Sequence, residues 1–230
     1  MSETPRGARL VLPALLGGLG LLPGVAGAAD PVAALAWLTI LSVGVGWWCG
    51  AEGVPLVPDA CAVPGTWALF LVLAGIGGVR ELPFPLHGLL VVAGLFGAGY
   101  AAGAVAARAP LAGAGVCIFL VLATSGLAVQ GGFATEEAAE GAWARTHPGL
   151  ARVFLEISPV VLALESSGWD LTHAHPRFYA SSGVEWFPRR PWQGRLAAPA
   201  ALVVGSLLAA LASAVRRRRF SRRGVHDAAP

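Results

Sequence analysis

Nearly half of the Asp, Glu, Arg and His side chains lie in residues 131–195, and the pattern there closest to chemistry is His173-Ala174-His175. In an extended strand, residues two apart point to one side. Both imidazoles could then face a single metal ion, with Asp170 and His147 completing a nitrogen and oxygen ligand set. Exposed loop histidines account for the same residues without a metal, and no metal site is assigned.

Two other clusters fall short of catalytic patterns. Glu136-Glu137 with Arg145 resembles part of the site of intramembrane CAAX-type proteases. That site needs an arginine one helical turn after the second Glu, where Gly141 stands, and a helix inside the membrane. Ala123-Thr124-Ser125-Gly126 resembles a fragment of a rhomboid-type serine site, but no later span supplies the partner histidine. Ser125 is therefore expected to pack helices. No glycine-rich phosphate loop is present, so the chain is not expected to bind ATP itself. The expected catalytic, cofactor-binding and metal residues are accordingly none.

The elements around these residues are apolar. Of 230 residues, 56% are hydrophobic and 13% charged, with a mean hydropathy of +0.67. Soluble domains carry about a quarter charged residues, so lipid has to cover much of this surface. The 31 glycines and 17 prolines suit transmembrane helices, where neighbouring helices repair the backbone. The abundance of Ala, Gly, Arg and Pro suits a bacterial genome rich in G and C. The net charge of +3 is dominated by Arg216, Arg217, Arg218, Arg219, Arg222 and Arg223, directly after an apolar segment. That placement reads as a stop-transfer anchor and a contact for anionic lipid, not for nucleic acid. Cys49, Cys61 and Cys117 do not make a disulfide framework.

Spans of about 20 apolar residues are expected at Leu10–Ala28, Pro31–Trp48, Thr66–Val79, Leu86–Ala107, Leu111–Val129 and Leu196–Val215. The first has a competing reading as a signal peptide, with Ala26-Gly27-Ala28 as the cleavage site; either outcome leaves Asp30 outside. The expected fold is an all-α polytopic membrane bundle of about six transmembrane helices, with an outer amphipathic cap between the fifth and sixth. Residues 1–130 hold the first five spans, 131–195 the outer cap, 196–215 the last span and 216–230 a basic tail. Arg6, Arg9, Arg108 and the arginine tail then share the cytoplasmic side of a bacterial inner membrane, with both termini inside. Arg80, beside Glu81, is the exception. Cys49 and Cys61 share a cytoplasmic loop where thiols stay reduced, flanked by Trp47, Trp48 and Trp67 at interfacial depth.

No ionisable group is expected in the interior of a span. Thr124, Ser125, Tyr100 and Gln130 offer only hydrogen bonds. Ion-coupled transporters place charges inside the membrane, so any work must be driven by a partner. Gly20/Gly24, Gly46/Gly50 and Gly99/Gly103 have the spacing that lets helices approach closely in lipid. In the outer loop, Thr135 caps a short helix that His147-Pro148 ends. Arg152, Glu156 and Pro159 share a stripe opposite Phe154, Ile157, Val161 and Leu164, which predicts an interfacial or re-entrant segment. Trp169 to Gln193 is too aromatic for a linker.

In this layout, with Leu155-Glu156-Ile157-Ser158-Pro159-Val160-Val161-Leu162-Ala163-Leu164-Glu165 before the last span, the chain resembles the six-span permeases of type-two ABC exporters. Those permeases carry an amphipathic outer element, often with a Ser-Pro turn, between the fifth and sixth spans. The resemblance implies a separate ATP-hydrolysing subunit as partner and a working unit of two permease copies or paralogues. Two features depart from it. The stretch before Leu10 leaves little room for a cytoplasmic elbow helix, and the loop Glu52 to Pro64 shows no docking helix. The alternative is a non-catalytic assembly or scaffold protein whose outer cap binds another protein.

Overall fold

The computed structural model describes residues 31–76, 85–106, 110–129, 157–168 and 194–226. Every element among them is helical. They are α1 (Pro31–Glu52), a π turn (Leu56–Ala60), α2 (Cys61–Ile76), α3 (Pro85–Ala106), α4 (Pro110–Val129), α5 (Pro159–Ser166) and α6 (Gly194–His226). Pro31, Pro85, Pro110 and Pro159 each open a helix, where a missing N–H costs nothing and the fixed φ suits the first turn. Three helices contain stretches long and apolar enough to cross a membrane: Ala34–Glu52, Leu86–Ala106 and Leu196–Arg218. Pro110–Ser125 is a shorter apolar stretch. The described residues are thus all-helical, with helices suited to a membrane protein. The expected span Leu10–Ala28 lies outside the described residues.

The bundle is organised around α3, packed between α1 and α6. Helices in lipid gain little from burying apolar surface, so close backbone approach and van der Waals packing hold them together. The glycines provide that approach. A methyl group on Gly46 would fall on the Phe96 carbonyl, and one on Gly50 on the Tyr100 carbonyl. In return, methyl groups on Gly99 and Gly103 would fall on the carbonyls of Val43 and Trp47. The two expected glycine pairs are therefore two halves of one contact. Gly20/Gly24 lies outside the described residues. On α3, Gly94 and Gly97 meet the backbone of Ala201 and Gly205 on α6. At 100° per residue, this second pair faces roughly 170° away from the first.

These contacts also fix direction. Residues 43–50 rise in step with 96–103, and 94–97 in step with 201–205, so α1, α3 and α6 are parallel. Gly44 lies beside Ile118, and Gly113 beside the Trp47 indole, so α4 is antiparallel to α1.

Helix α5 was expected within a longer amphipathic stripe, and its boundaries differ. Ser158 caps the helix by accepting a hydrogen bond from the Val161 N–H at 3.4 Å, and its own hydroxyl donates to Ser125 Oγ at 3.2 Å. Val160, Val161, Ala163 and Leu164 are buried, whereas Ile157, placed on the apolar stripe by its spacing, is 54% exposed. The cap resets the register, because extended Ser158 breaks the helix between Ile157 and Pro159. With 8 residues, α5 is only about 12 Å long, far short of a crossing. It packs against α1, α3, α4 and α6 at the end of the bundle where α1 and α3 begin. The rest of the expected cap, including the Thr135 helix and Trp169 to Gln193, lies outside the described residues.

Candidate functional site

A connected set of polar contacts closes the opposite end, where α1 stops. Gly53 has φ +76°, the left-handed conformation that commonly closes a helix. Its N–H donates to the Gly50 carbonyl at 3.2 Å, and the Val54 N–H to the Cys49 carbonyl at 3.0 Å. This pair of bonds is a Schellman closure, and it satisfies carbonyls that α1 would otherwise leave bare. The chain then turns through Leu56–Ala60, where the Ala60 N–H donates to the Pro55 carbonyl at 2.9 Å, and enters α2. That helix starts at Cys61, ahead of the expected Thr66, so the loop expected to run to Pro64 is largely filled by a π turn and a helical first turn.

Two distant side chains hold this segment. Tyr100, buried on α3, donates its hydroxyl to the Val54 carbonyl at 2.8 Å. Arg216 on α6 donates through Nη1 to the Gly50 carbonyl at 2.8 Å, and its guanidinium covers Gly53 so closely that a Cβ there would overlap it. The turn after α1 is thereby fastened to both α3 and α6. Outside these anchors, Val57 is 69% exposed, with Pro55 and Pro58 exposed beside it. Replacing Tyr100 with phenylalanine should strand the Val54 carbonyl at a cost of about 1–3 kcal/mol. A lower unfolding temperature in detergent, with helix content unchanged, is the expected reading.

Two of the tryptophans pack between helices. Trp67 is fully buried, and Trp47 packs its indole on Gly113; both N–H groups are buried without a hydrogen-bond partner. Such packing is what a glycine-rich surface needs, because its grooves are deep.

At the α5 end, Ser125 is buried and accepts the Ser158 hydroxyl, which makes it a packing residue. Ser166 and Ser167 both donate to the Ala163 carbonyl at 2.9 Å. His87, in the first turn of α3 and half-buried, is an ionisable group that the expectation of charge-free spans passed over. Its position next to a helix-opening Pro-Leu pair was the available signal. Among the described residues, no group of three His, Cys, Asp or Glu side chains could hold a metal. His147, Asp170, His173, His175, Glu136, Glu137 and Arg145 all lie outside them. Cys49, Cys61 and Cys117 are free thiols.

Comparison with known proteins gives no match: no family model, no curated protein and no solved structure aligns significantly with the chain.

Proposed function

We propose that the chain is a membrane-embedded, non-catalytic subunit of a larger assembly, the permease of an ATP-driven exporter. The observation that carries this reading is the seat of α5. A Ser-Pro turn followed by a short apolar helix packs into one end of the bundle, just ahead of the last apolar helix. This is the element on which the resemblance to type-two exporter permeases rests. One further feature supports it. Apart from His87 in the first turn of α3, the interiors of the long described helices offer hydroxyls and no carboxylate or ammonium, which suits a protein driven by a partner.

The test is purification of the full chain in mild detergent from cells carrying its native neighbours. Recovery of a nucleotide-hydrolysing subunit is expected, and its repeated absence overturns the reading. In this reading the arginine-bearing end is cytoplasmic, with both termini inside. Cys61, exposed at that end, should resist a membrane-impermeant maleimide in intact cells and react after permeabilisation. Burial pushes the Cys61 thiol above its usual pKa, so labelling should accelerate with rising pH as thiolate forms.

A scaffold function is the second reading. The reciprocal glycine contacts of α1, α3 and α6 favour it, because helices locked backbone to backbone resist the rearrangement a transport cycle needs. Recovery of an envelope protein without any nucleotide-hydrolysing subunit would select it.

A further inference from the structure

The six arginines after the last apolar helix are not equivalent. Arg216 turns back, bonding the Gly50 carbonyl and covering Gly53, so its guanidinium is committed inside the protein. Arg217 and Arg218 are exposed. The helix does not stop at the apolar boundary. Helix α6 continues to His226, carrying Arg219, Arg222 and Arg223 on the same rigid rod. We propose that this end of the bundle is a binding site for the phosphate headgroups of anionic phospholipid, with Arg217 and Arg218 as the contacting pair.

Depth decides the ligand. Arg216 follows Val215 without a spacer, and residues 216–219 rise about 6 Å along the helix. The headgroup layer on each face of a bilayer is about 5–7 Å thick. The first four arginines therefore lie at the level of lipid phosphates, too shallow for a soluble protein to reach without displacing headgroups. Guanidinium and phosphate match in geometry, two parallel N–H bonds to two oxygens. Arg217 and Arg218 follow Arg216 by about 100° and 200° around α6, so both face away from the turn that Arg216 holds and outward toward the surrounding lipid. The proposal does not depend on the exporter reading.

The experiment uses the full chain reconstituted in vesicles of equal phosphatidylglycerol and phosphatidylcholine, then released for native mass spectrometry. The wild-type protein should retain phosphatidylglycerol in roughly thirtyfold preference, the order expected of two arginines beside an anionic surface. The double variant R217Q/R218Q should lose most of that preference while unfolding at the same temperature in neutral detergent, because both side chains are exposed. R216Q should do the reverse, unfolding earlier while keeping the lipid preference. Equal retention of the two lipids by the wild type, or undiminished preference in R217Q/R218Q, overturns the proposal. Millimolar inorganic phosphate should not displace the lipid; displacement would mean a site for the free anion, and would also overturn it.

Discussion

Gly103→Leu should break the bundle. A side chain at this position has nowhere to go, because even a single methyl group would land on the Trp47 carbonyl and crowd the Ala51 amide. Overpacking among side chains costs typically 1–3 kcal/mol, and here the obstacle is backbone, which cannot rotate aside. We expect the variant to lose its monodisperse elution in detergent at a temperature roughly 6–12 °C below the wild type, the shift that the upper end of this penalty implies for a domain of this size. Gly65 and Gly115 supply the contrast. A Cβ at either meets nothing within 4 Å, so Gly→Ala there should be neutral or stabilising by up to about 1 kcal/mol, the ordinary helix preference. If Gly103→Leu and Gly65→Ala behaved alike, the reciprocal packing of α1 on α3 would be wrong.

Gly53→Val should be the next most damaging change, through two separable causes. At φ +76° a β-branched residue is a steric outlier, and the left-handed conformation costs an L-residue about 1–2 kcal/mol. The new side chain must also expel the Arg216 guanidinium, leaving the Gly50 carbonyl with one hydrogen bond fewer. Together these should exceed about 2 kcal/mol, and a double-mutant cycle separates them. In an Arg216→Ala background the collision is already gone, so Gly53→Val should cost only its backbone strain. Thermal unfolding of the four proteins gives the coupling directly, and strict additivity would show that the guanidinium does not rest on Gly53.

How much of this was legible in the residues depends on the range of each interaction. Apolar runs marked α1, α3 and α6 because insertion into lipid depends on local composition. Glycines four apart marked the α1 and α3 contact surfaces, although nothing in the spacing says that the two pairs meet each other. Ser158-Pro159 marked the start of α5, yet the stripe drawn through Ile157 failed because periodicity was counted across the cap. The Tyr100 to Val54 and Arg216 to Gly50 bonds join residues 46 and 166 positions apart. Such pairings are set by how helices stack, and no local pattern encodes them. Tyr100 looked like a spare polar group and Arg216 like one member of a uniform tail. The burial of Trp67 is of the same kind, since composition marks an indole but not the helix groove it fills.

The helix directions at the face where α1 stops have an electrostatic consequence. Each helix carries about half an elementary negative charge at its C-terminal end, felt only within its last turn. Two such ends, those of α1 and α3, meet here, while α6 runs on to His226. The positive N-terminal ends of α2 and α4 stand at the same face and offset them. The Arg216 guanidinium therefore answers one bare carbonyl of α1 and not the summed charge of a bundle end.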